Sequence, residues 1–284
     1  MPRPPQHQPG PPKLTTDPDD SKRPIGVFDS GIGGLSVLKA LRAELPVENC
    51  VYVADSGHAP YGEREASHVL QRSRLITGHL RAQHQISALV IACNTATAAA
   101  IHWLRQEHPG LPIIGVEPAL KPAVLQSQTK RIGVMATRST LASAKFRALL
   151  ESLAGQAEFI CQPCDGLADA LERDDTLKIR ALCADYTGAI GQFGINKGQV
   201  DTLVLGCTHY PFVRDILANA VGPEVQLIDN GEPVARQTRR MLANLAVGSE
   251  PGQCLLLTTG QANTLELATQ RWLGLACKVA LLAV

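Results

Sequence analysis

The sequence predicts an α/β fold made of two similar, doubly wound domains. Three observations lead there: strand-like runs alternate with helical segments, those runs are apolar throughout, and two of them recur later in the chain. The runs are PIGVFDS, CVYVADS, ALVIACN, PIIGVEPA, RIGVMAT, AEFICQP, TLVLGCTH, VQLIDNG and CLLLTTG. Their apolar residues are continuous rather than alternating, as in strands covered on both faces. Between them, Leu35, Leu38, Leu41 and Leu45 mark one helical stripe, and Val69, Leu70, Leu75 and Leu80 a second. Strand alternating with helix implies a parallel or mostly parallel sheet. The last apolar segment, KVALLAV, reads as a final strand.

The repeats divide this pattern in two. ALVIACNTATA (88–98) is echoed by TLVLGCTHYPF (202–212), an offset of 114 residues. RPIGVFDSG (23–31) is echoed by KRIGVMATR (130–138), an offset of 107. Two echoes in one order at nearly one spacing indicate two like halves.

Composition sets the bounds. A chain of 284 residues, 45% of them hydrophobic, can bury one large or two medium cores. A formal net charge of +1, with no block of like charge, gives no footing for nucleic acid or a membrane surface as main partner. No apolar run approaches the roughly 18 residues of a bilayer span, and the N-terminal stretch lacks a signal-peptide pattern. The expected location is therefore cytoplasmic, where thiols stay reduced. The eight cysteines are then free thiols, ligands or catalysts. Cys161 and Cys164 form a single CxxC, which reads as two unrelated thiols, because a zinc site normally takes four ligands. No metal site is expected. The first residues, MPRPPQHQPGPPKLTTDPDDSKRP, are too rich in proline and too poor in aliphatic groups to order themselves, so 1–23 reads as a disordered arm.

Chemistry should gather where the strands end. In open parallel sheets ligands bind beyond the carboxyl ends of the strands, and several runs end in small or polar residues: Asp29-Ser30-Gly31, Cys93-Asn94-Thr95, Ala136-Thr137 and Cys207-Thr208-His209. A structural cysteine prefers the middle of an apolar run, yet Cys207 sits at an edge. Two halves with equivalent rims can face each other across a cleft, each presenting one cysteine. One thiolate could then remove a proton from a carbon while the opposite thiol supplies one, inverting the centre. His209 could tune Cys207 or share its proton, and Asp29 could do so for Cys93. A rival reading takes Gly31-Ile32-Gly33-Gly34-Leu35-Ser36 as a dinucleotide-binding turn, but Ser36 stands where the third glycine belongs.

VFDSGIGGLSVL, DSGHAPYGER, ACNTAT, GVEPALKPA, ATRST, LGCTHYPF and LIDNG together resemble the glutamate racemases, over about Pro24 to Leu273. The resemblance implies cofactor-independent interconversion of L- and D-glutamate, supplying D-glutamate for peptidoglycan. It implies that Cys93 faces the D enantiomer and Cys207 the L enantiomer, with His209 assisting the second. It further implies that Asp29, Ser30, Tyr61, Gly62, Asn94, Thr95, Thr208 and His209 contact substrate. The family fold is two α/β domains with pseudo-twofold symmetry, here 24–115 plus 226–284 and 116–225, with the active site between them. A carboxylate that positions the histidine in relatives is expected near Asp169, one methylene shorter here. A cell-wall nucleotide precursor is a candidate activator, and the state is monomer or homodimer. Two alternatives remain open: a racemase of aspartate or another amino acid in the same superfamily, and a binding protein that restrains gyrase through a vestigial cleft.

Overall fold

The computed structural model describes residues 23–242 and 249–284; apart from Arg23, the proline-rich arm lies outside them. Two parallel sheets organise the chain. The first contains β1 (Ile25–Asp29), β2 (Cys50–Ala54), β3 (Ala88–Ile91), β4 (Ile113–Gly115), β9 (Cys254–Thr258) and β10 (Val279–Leu281), in the order β10-β9-β2-β1-β3-β4. The second contains β5 (Arg131–Ala136), β6 (Glu158–Pro163), β7 (Thr202–Gly206) and β8 (Gln226–Ile228), in the order β6-β5-β7-β8. Every pairing in both is parallel. All nine apolar runs hold a strand, and KVALLAV supplies the tenth.

The symmetry implied by the echoes is present strand for strand. The order β2-β1-β3-β4 matches β6-β5-β7-β8, with β1 standing for β5 and β3 for β7. One boundary moves. Residues 226–228 were expected in the first domain, but β8 pairs in register with β7. The second sheet needs that strand as the counterpart of β4, so the chain returns to the first sheet only beyond Ile228.

In β1, β2, β3 and β7 burial on both faces explains the continuous apolar runs. In β1, Ile25 and Val27 enter one core while Phe28 enters the core on the opposite face. Helix α1 (Leu35–Glu44) brings Leu35, Leu38 and Leu41 to the first of these, with Leu45 just past its end. It packs there beside α10 (Gly231–Met241) and α11 (Ala262–Leu273). Helices α2 (Ala66–His84) and α3 (Asn94–Glu107) cover the other face. The stripe on α2 differs from expectation, because Leu75 is 44% exposed while Val69, Ile76 and Leu80 are fully buried. The 69-76-80 spacing keeps to one helical face, whereas 70 and 75 rotate off it. The second sheet is covered by α4 (Leu120–Gln126), α5 (Arg138–Ala142), α6 (Ala144–Glu151), α7 (Leu167–Glu172), α8 (Thr176–Ile190) and α9 (Arg214–Val221). No helix among the described residues is long and apolar enough to cross a membrane.

Candidate active site

The carboxyl ends of β1, β3, β5 and β7 meet across a narrow cleft. Strand order reverses direction between β1 and β3 and again between β5 and β7, and such switch points open a crevice. Ser30, Tyr61, Gly62, Cys93, Asn94 and Thr95 line it from the first sheet; Thr137, Cys164, Cys207, Thr208 and His209 line it from the second. The two expected thiols thus share one cleft, each following a strand.

Each wall has its own local cause. Cys93 is the N-cap of α3, and its Sγ accepts from Ala96 N at 3.5 Å. Its thiol also lies 3.9 Å from Ser30 Oγ. A helix N-terminus favours a thiolate, but burial and the nearby Asp29 carboxylate win and push the Cys93 thiol well above its ordinary range. The resting form is therefore the thiol. Asp29, fully buried, bonds Ser30 Oγ at 2.9 Å and Thr208 Oγ1 at 2.7 Å, so it joins the two walls. Burial raises its own pKa as well.

On the opposite wall, Cys207 Sγ lies 3.6 Å from His209 Nδ1, and His209 Nε2 lies 2.7 Å from Glu172 Oε1. Burial opposes a charge on His209, but its hydrogen bonds with Cys207 and Glu172 outweigh that and hold its pKa well above the usual imidazole value. The same Glu172 oxygen accepts from Ile32 N at 2.7 Å, a second tie between the walls. Asp169, where sequence reasoning looked for this carboxylate, instead pairs with Arg173 and Lys178. Glu172 lies about one turn of α7 further on and reaches His209, so the shorter aspartate leaves His209 with its partner.

Tyr61 and Gly62 are held from behind. Tyr61 Oη donates to Asp55 Oδ2 at 2.5 Å, and Asp55 is clamped by Arg72 at 2.9 Å through both guanidinium contacts. Hydrogen bonds from Arg72 and Tyr61 overcome the cost of burial and keep the Asp55 carboxyl below its ordinary value. Across the cleft, Ser139 Oγ donates to Gly62 O at 2.5 Å and Thr95 Oγ1 lies 3.0 Å from Thr137 Oγ1.

The glycine turn does not cradle phosphate. A Cβ on Gly31 would run into Glu172, and one on Gly33 into the His209 ring. These glycines let the second wall approach the first, which removes the ground for a dinucleotide reading. Sequence reasoning missed Glu172 as the partner of His209 and Cys164 as a cleft residue. Thr137, expected on the rim with the other strand ends, lines the cleft. Cys164 lines the cleft while Cys161 is exposed, in line with two unrelated thiols.

Fold and cleft together define the class: an α/β protein of two like parallel sheets, with Cys93 and Cys207 following equivalent strands into a shared crevice. Comparison with known proteins agrees. The Asp/Glu/Hydantoin racemase family matches residues 25–238. A glutamate racemase of Ectopseudomonas mendocina is 47% identical over 256 residues, covering 89% of this chain and 90% of that protein. Glutamate racemase RacE1 of Bacillus anthracis superposes with a TM-score of 0.80 at 30% identity, covering 93% of this chain and 98% of that one. The Escherichia coli glutamate racemase, solved with L-glutamate and the activator UDP-MurNAc-ala, gives a TM-score of 0.76 at 26% identity, covering 91% and 97%. The chain belongs to the Asp/Glu/Hydantoin racemase family.

Proposed function

We propose that the chain interconverts L- and D-glutamate by proton transfer between two thiols, as an isomerase that supplies D-glutamate to peptidoglycan in the cytoplasm. The observation that carries this is the pair Cys93 and Cys207 lining one cleft from opposite sheets, in a chain 47% identical to a glutamate racemase. In the L-to-D direction Cys207 takes the Cα proton and the Cys93 thiol delivers one to the opposite face. The roles reverse for D-glutamate. His209 stands within reach of Cys207 to share its proton. Asp29 and Ser30 meet the substrate ammonium, while Tyr61, Gly62, Asn94, Thr95, Thr208 and His209 hold its carboxylates. Fixed donors in a crevice that excludes water stabilise the carbanion-like transition state. Domains of 24–115 with the segment beyond Ile228, and of 116–228, close on the substrate.

The test is inversion without added cofactor. Purified protein with L- or D-glutamate should exchange the Cα proton in deuterated water and lose optical rotation. Cys93→Ser and Cys207→Ser should each be severely impaired in inversion. Absence of exchange with either enantiomer, together with turnover of aspartate, would move the substrate assignment. The activator held by the Escherichia coli enzyme extends the proposal to regulation by the same class of cell-wall nucleotide. An unchanged rate on adding UDP-MurNAc-alanine removes that extension.

A further inference from the structure

Asn230 stands where the chain crosses back from the second sheet to the first, between β8 and α10. It is 5% exposed. It occupies the N-cap of α10, yet its side chain makes no capping hydrogen bond. The Gly231 N–H there donates to Asp229 Oδ1 instead. The Asn230 amide is turned the other way: its Nδ2 donates to Asn94 Oδ1 at 3.4 Å. Asn94 directly follows Cys93, opens α3 and lines the cleft. With its oxygen engaged, Asn94 keeps Nδ2, which is buried and has no partner in the protein. Asn230 Oδ1 is also unpartnered, but of the two remaining atoms only the Asn94 donor belongs to a cleft residue.

We infer that Asn230 is a positioning residue: by holding the Asn94 oxygen from the inter-sheet crossing, it fixes the orientation of that carboxamide so that Nδ2 is offered to a substrate carboxylate. This rests on the glutamate reading of the cleft. A carboxamide has two nearly isosteric orientations, and only its hydrogen-bond network chooses between them. With the amide turned over, an oxygen would face an anion. The crossing segment and the strand end carrying Cys93 are also tied together by this contact, so return of the chain to the first sheet and presentation of the donor are set by one side chain.

The experiment compares wild type, Asn230→Asp and Asn230→Ala in steady-state racemisation of both enantiomers, alongside thermal unfolding. Aspartate is isosteric but, when ionised, accepts only, so it draws Asn94 Nδ2 and turns the oxygen to the cleft. KM should rise about tenfold or more with kcat largely kept, the pattern of a lost uniform contact. An acid at an N-cap suits the helix, so unfolding should not shift down in parallel. Alanine frees the amide to take either orientation, leaving about half the molecules competent and raising KM about twofold. The order Asp above Ala is the signature, because a merely structural side chain would be hurt more by truncation than by an isosteric change. Wild-type KM in Asn230→Asp, or a larger effect from alanine, overturns the inference. If the aspartate variant fails to fold, alanine decides: a raised KM at unchanged kcat and unfolding temperature supports the inference, and an unchanged KM overturns it. Wild-type protein that does not racemise glutamate reports failure of the underlying reading separately, and both then fall.

Discussion

Glu172 makes two hydrogen bonds with one carboxylate oxygen, to Ile32 N in the first wall and His209 Nε2 in the second. Charged hydrogen bonds of this kind contribute about 1.5–3 kcal/mol each. Glu172→Gln keeps the shape and removes the charge, so kcat/KM should fall about tenfold to a hundredfold. Asp169→Ala should stay near wild type, since Asp169 is occupied with Arg173 and Lys178. Kinetics of the two variants side by side check the reassignment. His209 brings a pH dependence whose direction is fixed. Its folded pKa lies well above the ordinary imidazole value because Cys207 and Glu172 outweigh burial. A raised folded pKa contributes stability that is complete below the unfolded value of about 6.5 and is lost as pH rises through the folded one. The stability gap between wild type and His209→Asn, followed by denaturant unfolding, should therefore be widest below about pH 6 and narrow towards alkaline pH.

At the scale of elements, the turn from β1 into α1 is shaped by what lies against it. Gly33 faces the His209 ring and has no room for a side chain. Gly33→Ala should displace that ring and lower kcat/KM by at least tenfold, because a misplacement of about 1 Å near reacting groups costs on the order of a hundredfold. Gly78, within α2, has nothing within 4 Å of an added Cβ. Gly78→Ala should instead stabilise by about 0.5–1 kcal/mol with unchanged kinetics, because alanine loses less backbone entropy in a helix. Thermal unfolding of both variants checks the contrast. The central strands were legible because burial on both faces writes an unbroken apolar run. The α2 stripe was legible only in part: polar Arg72, Ser73 and Thr77 are buried on that face, so hydropathy alone misplaced it towards Leu75. Glu172 was invisible for a related reason. Its partners are 140 and 37 residues away in sequence, and no local pattern marks a long-range acceptor.

For the whole molecule, the two echoes carried the most information. They placed Cys93 and Cys207 at like positions of like halves, and the matching strand orders give that likeness its structural form. The echoes did not extend to the fourth strand, where QLI has no visible likeness to IIG, and so the boundary fell before β8 rather than after it. The halves touch through hydrogen bonds around the cleft, Thr208 with Asp29, Ser36 with Thr208 O, Glu172 with Ile32 and Ser139 with Gly62, and of these residues Thr208 and Gly62 line it. A ligand seated there braces both sheets at once. Glutamate at about a hundred times its Kd should stabilise by about 2.7 kcal/mol and raise Tm by several degrees, while leaving Cys93→Ser protein responsive too. A thermal-shift titration checks this. The central claim is that one proton leaves to one thiol and another arrives from the opposite thiol. Racemisation of each enantiomer in deuterated water, quenched at low conversion and analysed by chiral mass spectrometry, tests it most directly. Two thiols predict deuterium at Cα of the product enantiomer and protium in the unconverted substrate. Equal deuterium in both enantiomers at the earliest times would mean a single base serving both faces, and would contradict the account.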